Sequence, residues 1–320
     1  MSRSDPPTPT AASASAVDLT DSVAQRPLVA RRLLFVTGKG GTGKSTVAAA
    51  IALRAAKQGL RTLACEMDAK GNLASLLGLD RTPGYTPVRA SSGVDVMTMS
   101  TEESLREYLR IHLRLPIVTK IGPLAAAFDF VADAAPGVRE VLAVGKVCWE
   151  VRENHYDLVV ADADASGHVA SQIASPRTIA DLVPRGPLRD QTSWMLEILD
   201  DPGRCGVVVV ANPEELAVAE SVSLAERLRA ETRTEIARVV VNRSEPRPGE
   251  LAARLASDGW FAAEAPEAAR VVGAASARHA AHAAQLAGLR EALPGIEYSV
   301  VPRLDVTGPA LANAVTEFLS

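Results

Sequence analysis

Short apolar runs alternate with amphipathic or alanine-rich segments along most of the chain. Seven of these runs are rich in β-branched residues and almost continuously apolar, which is typical of strands buried on both faces of a parallel sheet. They lie at 33–37, 62–66, 94–99, 157–162, 206–211, 237–242 and 298–302. Helical patterns intervene, most clearly at 44–58, 213–230 and 275–291. The alternation predicts an α/β fold with a doubly wound, mostly parallel sheet and right-handed crossovers.

Two segments depart from this alternation. More than fifty residues separate the strand at 94–99 from the strand at 157–162, too many for a simple crossover. Their periodicity is helical and prolines divide them, so we expect a helical insert at about 101–155. Residues 1–28 are rich in Ser, Ala, Pro and Thr and lack the apolar segment of a signal peptide, so we expect a disordered tail rather than a signal peptide. Residues 29–320 are expected to form one domain that carries the insert.

Composition narrows the classes of partner. The net charge of −4 and the pI of about 5.8 do not indicate binding to nucleic acid or to anionic lipid. The apolar runs are shorter than a membrane span. Three scattered cysteines without a CxxC pair argue against a disulfide scaffold and against a thiolate zinc site. We therefore expect a cytoplasmic protein with no nucleic-acid partner, no integral membrane segment and no zinc clasp.

The segment TGKGGTGKST, residues 37–46, joins the first strand to the helix expected to start near Lys44. It satisfies the pattern G-x-x-x-x-G-K-[ST], in which glycines let backbone N–H groups converge on phosphate oxygens at a helix N-terminus. Lys44 is expected to neutralise the β- and γ-phosphates of a bound nucleotide, Ser45 to ligate Mg²⁺, and Thr46 to reach the α-phosphate. The alternative is a glycine turn that only begins a helix. The predicted nucleotide contacts of this loop are Gly38, Lys39, Gly40, Gly41, Thr42, Gly43, Lys44, Ser45 and Thr46.

Two carboxylates follow predicted strands. Asp68 lies just beyond the C-terminal end of the strand at 62–66, where it can position a water molecule or take its proton, although an aspartate there can also cap a helix. Asp162 ends the strand at 157–162 and occupies the position at which a carboxylate holds the water shell of magnesium. Asp164 is an alternative ligand, but side-chain alternation sends Ala163 to the opposite face.

The loop sequence K-G-G-T-G-K-S-T resembles the deviant Walker A loop of the SIMIBI class of nucleotide-dependent dimers. That class includes ParA and MinD, nitrogenase iron protein and the ArsA-like ATPases. The resemblance implies that Lys39 crosses a dimer interface and meets transition-state charge on the partner's phosphates. It also implies a homodimer or a heterodimer with a paralogous ATPase. The alternative for Lys39 is an ordinary solvated lysine.

The segment DADASGH, residues 162–168, resembles the D-T-A-P-T-G-H switch of the ArsA and Get-pathway ATPases. Asp162, Gly167 and His168 match, and His168 is then expected to sense the γ-phosphate. APGVRE, residues 135–140, resembles the P-G-x-x-E of that family's helical insert. The resemblance covers about residues 32–320 and is strongest at the phosphate loop and at this switch. The chain closely resembles the actinobacterial single-module ArsA-like ATPases, and the resemblance implies that Asn242 reads the adenine edge and Pro302 packs against the base.

The two switches depart from the family pattern. The first is D-P-A-H-x-L in the family, whereas this chain has DAKGNL at 68–73. The second lacks a proline and a threonine, which are replaced by Ala165 and Ser166. No cysteine falls in a plausible arsenite cluster.

We therefore expect a Mg²⁺-dependent ATPase with catalytic Asp68, Lys39 and Lys44, whose dimer opens and closes with nucleotide while the insert couples to an unidentified client. A nucleotide-gated binding subunit with little hydrolysis of its own is the first alternative. A ParA- or MinD-like positioning ATPase is the second, and the long insert argues against it.

Overall fold

The structure is a computed structural model of the chain, and it describes residues 26–68, 71–113, 137–165, 167–183, 185–256 and 258–319. The predicted disordered tail lies mostly outside these ranges and stays a prediction. Its last residues are described, and Leu28 is buried in the core at the start of a short 3₁₀ helix, Leu28–Ala30.

Within the described residues, eight strands form one sheet in the order β3-β4-β2-β5-β1-β6-β7-β8. Neighbouring strands run parallel except for β3 and β4, so the predicted mostly parallel α/β sheet is confirmed. The short β3 was not predicted because its two residues are both exposed and form no apolar run. The strands are β1 (Leu33–Gly38), β2 (Thr62–Glu66), β3 (Val88–Arg89), β4 (Val94–Thr98), β5 (Leu158–Ala165), β6 (Cys205–Ala211), β7 (Ile236–Ser244) and β8 (Tyr298–Pro302).

Helices cover both faces of the sheet. Helices α1, α2 and α11 pack on one face, and α4, α5, α6, α7 and α10 pack on the other. Alternate residues of each central strand therefore enter two different cores, which explains why these strands are continuously apolar. In the described residues the helices are α1 (Lys44–Lys57), α2 (Asn72–Leu76), α3 (Thr101–Leu113), α4 (Val138–Arg152), α5 (Val169–Leu182), α6 (Pro187–Leu199), α7 (Glu215–Glu231), α8 (Glu250–Ala256), α9 (Gly259–Glu264), α10 (Pro266–Ala292) and α11 (Gly308–Val315).

The three helices that the sequence predicted most clearly are present as α1, α7 and α10. Helix α10 begins nine residues before the predicted start at 275, at Pro266. The predicted helical insert begins with α3 and ends with α4, but residues 114–136 lie outside the described ranges, so its extent stays a prediction. None of the helices in the described ranges offers an apolar stretch of the length that a bilayer crossing requires.

A buried ion cluster joins α3 and α4 to the loop before β3. Lys146 of α4 lies 2.8 Å from Glu107 of α3 and 2.7 Å from Glu150 of its own helix. Burial lowers the pKa of Lys146, but the hydrogen bonds to Glu107 and Glu150 outweigh this effect and raise it. Tyr85 donates its hydroxyl to Glu107 and lies beneath the Lys146 ammonium, 4.8 Å from ring centroid to Nζ. The two ends of the predicted insert are therefore fixed to each other and to the sheet domain.

An ion pair joins Asp157, the residue before β5, to Arg61, the residue before β2. Hydrogen bonds from the Arg61 side chain, and then from its backbone N–H, lower the pKa of Asp157 to about 2. A lowered pKa in the folded state stabilises the protein above the unfolded value of about 3.9, and this stabilisation is lost as the pH falls towards 2. We therefore expect Asp157→Asn to lower the melting temperature at pH 7, with the difference from wild type shrinking below about pH 4 and disappearing below about pH 2.

Thermal denaturation followed by circular dichroism at a series of pH values measures this effect. Asp80→Asn is the matched control, because Asp80 is an exposed aspartate elsewhere on the surface. A melting-temperature difference for Asp157→Asn that is equally large at pH 7 and near pH 2 would contradict the assignment.

Candidate functional site

The glycine loop, residues 38–46, joins the carboxyl end of β1 to α1 at the edge of the sheet where β5, β1 and β6 also end. Two of its glycines are required by close contacts. A Cβ on Gly38 would lie 2.1 Å from the carbonyl oxygen of Val210, and a Cβ on Gly43 would lie 2.3 Å from Asn242 Nδ2. Gly43 also has a φ of 92°, the left-handed region that favours glycine. The loop can therefore keep this path only with glycine at both positions.

The inner part of the loop forms a closed turn followed by a helix N-terminus. The carbonyl oxygen of Lys39 accepts from Thr42 Oγ1 at 2.9 Å and from Lys44 Nζ at 3.5 Å. Helix α1 begins at Lys44. The first N–H groups of an α-helix point out of its N-terminus and carry partial positive charge, which favours an anion there. Ser45 and Thr46 lie in the first turn of α1 and are partly buried. The predicted phosphate-binding residues are thus brought together in one segment.

Two consecutive residues near the end of β7 hold the loop from outside. Asn242 donates its Nδ2 to the carbonyl oxygen of Thr42 at 2.7 Å, and Arg243 donates Nη1 to the carbonyl oxygen of Gly41 at 2.9 Å. The predicted contact of Asn242 with adenine stays a prediction, and an asparagine that donates here can still accept through its oxygen. Pro302, the other predicted base contact, is partly buried at the end of β8 and pairs with Ser244.

Lys39, the second lysine of the loop, lies at its outer rim. Its Nζ forms an ion pair with Glu220 of α7 at 2.8 Å, and the two side chains are 30% and 37% exposed. Lys39 is therefore not a fully solvated lysine in this chain. It is held at the surface, on the side of the loop that faces α7.

Asp162 is buried, with 6% of its surface exposed, and lies in register with Val36 of β1 and Glu66 of β2. Val160, two residues earlier in β5, packs in the core that α1 covers, whereas Ala163 packs in the opposite core. Side-chain alternation therefore directs Asp162 to the same layer as Ser45 of α1. A carboxylate and a hydroxyl are hard oxygen donors, so this pair fits Mg²⁺. The side chain of Asp164 lies outside the described part of the structure.

The first switch is anchored by a buried carboxylate that precedes it. Glu66, only 2% exposed, accepts from the backbone N–H of Gly71 and from that of Asn72, each at 3.0 Å. These bonds satisfy two N–H groups at the start of α2. Asp68 lies two residues beyond the end of β2 and is partly buried, at the same edge of the sheet as the glycine loop. Ala69 and Lys70 lie outside the described residues.

The second switch contacts the helix that also holds Lys39. Gly167 and His168 are exposed at the start of α5, and Arg227 of α7 donates Nη1 to the Gly167 carbonyl at 3.1 Å. Glu220 and Arg227 are two turns apart, so they lie on one face of α7. Helix α7 therefore connects the glycine loop to the second switch. Ser166 lies outside the described residues.

The sequence did not identify three side chains of this site. Glu66 could have been found from the sequence, since it is an acidic residue at the end of the strand that precedes Asp68. The indication for Arg243 was weaker, since it is simply the residue after Asn242. Glu220 had none, since only the packing of α7 beside the glycine loop brings it to Lys39.

Strand β5 extends to Ala165, three residues beyond the predicted end at 162, so Asp162 lies within the strand. A buried parallel strand, a glycine loop with a lysine opening the next helix, and a buried carboxylate in the adjacent strand define a P-loop nucleotide-binding protein. Comparison with known proteins narrows this class. The family model described as anion-transporting ATPase matches residues 31–185. The chain belongs to this anion-transporting ATPase family.

Named relatives agree with this assignment. ATPase BagA of Mycobacterium tuberculosis is 31% identical over 226 residues, which cover 67% of this chain and 66% of that protein. ATPase get3 of Schizosaccharomyces japonicus is 26% identical over 171 residues, or 51% of this chain and 52% of the relative. The arsenical pump-driving ATPase of Escherichia coli is 24% identical over 209 residues, which cover 58% of this chain and 35% of that protein. The chain thus spans just under two thirds of the first of these relatives and a smaller share of the other two.

Proposed function

We propose that this protein binds ATP together with Mg²⁺ and hydrolyses it as a nucleotide-driven dimer. The observation that carries the proposal is the glycine loop, in which Lys44 and the first turn of α1 form an anion cradle and Lys39 lies at the outer rim. One lysine suffices to bind phosphate within a chain. A second lysine, held at the surface by an ion pair, is suited to reach a nucleotide bound by another subunit.

Each residue of the cradle has a separate task in this proposal. The N–H groups at the start of α1 and the ammonium of Lys44 bind the β- and γ-phosphates, and Thr46 binds the α-phosphate. Ser45 and Asp162 hold the metal, directly or through its water shell. Mg²⁺, when bound, supplies positive charge to the phosphate oxygens. Asn242 and Pro302 contact the base.

Lys39 acts across the dimer interface. It exchanges Glu220 for the phosphates of the partner subunit, where its charge stabilises the transition state of hydrolysis. Both partners of this ion pair are partly exposed, so the pair is weak and the exchange costs little. The dimer is formed by two copies of this chain or by this chain and a paralogous ATPase.

Asp68 orients the attacking water and accepts its proton. Asp68 belongs to the first switch, and Glu66 holds the end of this switch by accepting from the N–H groups of Gly71 and Asn72. Any rearrangement of the switch on nucleotide binding therefore begins from this anchored conformation. Helix α7 connects the nucleotide loop to the second switch through Glu220 and Arg227. The helical insert, which follows the sheet's β4, carries the change to a client.

A second candidate is a nucleotide-gated binding subunit with little hydrolysis of its own. The altered first switch favours it, because the family's proline and histidine are replaced by Ala69 and Gly71. In this case ATP still closes the dimer, but release of the client follows nucleotide exchange rather than hydrolysis.

The Asp68→Asn variant separates the two candidates. If Asp68 is the base for water, we expect the variant to bind ATP as wild type does and to hydrolyse it about 100-fold more slowly, which is the usual loss when a positioned general base is removed. Phosphate release is measured with Mg²⁺ and with excess chelator, for the protein alone and mixed with any paralogue. Analytical ultracentrifugation with ADP and with a non-hydrolysable ATP analogue measures the molecular mass of the protein and so shows whether it is a monomer or a dimer in each nucleotide state.

Asp80→Asn, which changes an exposed aspartate outside the glycine loop and both switches, is the control and is expected to hydrolyse ATP at the wild-type rate. A wild-type protein that binds ATP but releases no phosphate, alone or with a paralogue, would exclude the ATPase and leave the gated subunit. A protein that binds no ATP would exclude both.

A further inference from the structure

Consecutive side chains of β7 fix consecutive peptide groups of the glycine loop. Arg243 binds the carbonyl of the peptide between Gly41 and Thr42, and Asn242 binds the carbonyl of the peptide between Thr42 and Gly43. Because a peptide group is planar and trans, fixing the direction of its C=O also fixes the direction of its N–H. The bond from Asn242 therefore orients the Gly43 N–H away from β7, and the bond from Arg243 orients the preceding peptide.

The backbone of Arg243 has an uncommon conformation. Its φ is 58°, and apart from glycines only Asn154 shares a positive φ within the described ranges. Pairing between β7 and β8 shifts register between Val241 and Ser244, so the strand bends at this residue. An arginine in the left-handed region is strained, and strain of this kind persists where the surrounding structure or a function requires it. Here it turns the guanidinium towards the glycine loop.

The tip of the loop is the place where such an anchor has most effect. Gly40 and Gly41 have the freest backbones of any residue type, and Gly41 has a φ of 86°. An unanchored tip would lose this freedom only when nucleotide binds, and the lost entropy would weaken the affinity. A guanidinium bonded to the Gly41 carbonyl orders the tip in advance.

We propose that Arg243 is a positioning residue for nucleotide binding, which holds the tip of the glycine loop in its phosphate-binding shape through the Gly41 carbonyl. The proposal rests on the ATP binding proposed above and adds to it a residue outside the loop motif. Arg243 acts through the loop and does not touch the γ-phosphate. Its loss therefore weakens ADP and ATP equally and acts on KM rather than on kcat.

The Arg243→Gly variant tests this role. Glycine relieves the strain of the positive φ but gives the unfolded chain more freedom, so the two effects offset and the melting temperature is expected to stay within about 3 °C of wild type. The dissociation constants of ADP and of a non-hydrolysable ATP analogue, measured by calorimetry with Mg²⁺, are both expected to rise about ten-fold, the usual effect of losing a hydrogen bond from a charged group. A purely structural arginine would instead change stability and binding together.

Two further variants complete the experiment. Arg243→Lys keeps a cationic donor and is expected to restore most of the affinity. Arg247→Gly, the same substitution at an exposed loop residue four positions later, is expected to bind both nucleotides as wild type does. Wild-type affinity in Arg243→Gly, or a loss confined to the ATP analogue, would overturn the role of Arg243. Failure of the wild-type protein to bind either nucleotide would overturn the proposed function, and this role with it.

Discussion

Replacing Lys39 by alanine is expected to lower the rate of ATP hydrolysis by about 1000-fold, since a cation supplied in trans to a transferring phosphoryl group contributes at least that factor. The affinity for ATP within one chain is expected to change less than about three-fold, because Lys39 lies at the rim of the loop in a partly exposed ion pair. Steady-state phosphate release and equilibrium titration with a non-hydrolysable ATP analogue measure the two quantities separately.

Two controls show whether the charge of Lys39 or its ion pair matters. Glu220→Ala removes the same ion pair but keeps the lysine, so its hydrolysis rate is expected to stay far above that of Lys39→Ala. Lys57→Ala removes a lysine from the far end of α1, where its Nζ contacts Asn313, and is expected to hydrolyse ATP normally. If Lys39→Ala hydrolyses ATP at the wild-type rate, Lys39 has no role in trans. If Glu220→Ala loses as much as Lys39→Ala, the ion pair itself supports the loop.

Replacing Lys44 by alanine is expected to weaken ATP binding about 100-fold, because the phosphates lose a charge-assisted contact inside the cradle. The fold is expected to survive. Lys44 is the first residue of α1, where a positive charge is unfavourable to the helix dipole, so its removal does not lower the free energy of unfolding by that route. Calorimetric titration with ADP and with the ATP analogue, together with a melting curve, measures both expectations.

The two lysine variants are expected to fail in different ways. Lys44→Ala should lose binding and hence hydrolysis at low ATP, whereas Lys39→Ala should lose hydrolysis at every ATP concentration. Mixing the two variants tests the dimer directly, since a mixed dimer contains one site with an intact cradle and an intact trans lysine. Hydrolysis that returns on mixing supports action in trans, and a mixture as inactive as its components contradicts it.

Much of this architecture is local in sequence and was predictable from it. The strands are continuous apolar runs because both faces of the sheet are covered. Each run is only a few residues long, which distinguishes a buried strand from a buried helix. The glycine loop is a contiguous motif, so Gly38, Gly43 and Lys44 needed no tertiary information to be placed together. Alternation along one strand also placed Ala163 on the face opposite to Asp162, and Ala163 packs in the core away from α1.

Other parts of the site depend on segments far apart in the chain. Glu220 reaches Lys39 across 181 positions, and Arg243 reaches Gly41 across 202. No periodicity in the sequence couples such positions, because the contact depends on which strands are neighbours and how α7 and β7 are seated beside the loop. The positive φ of Arg243 has the same origin, since it arises where the pairing of β7 with β8 shifts register.

The sequence by itself determined the class of sheet, the phosphate-binding motif and the carboxylates near the carboxyl ends of two strands, because each depends on neighbouring residues and on simple alternation. The tertiary structure alone decided how Lys39 is held, how the first switch is anchored by Glu66, and how the outer wall of the loop is fixed by Asn242 and Arg243. These features depend on strand order and register, which bring distant polar groups within hydrogen-bonding distance at one edge of the sheet.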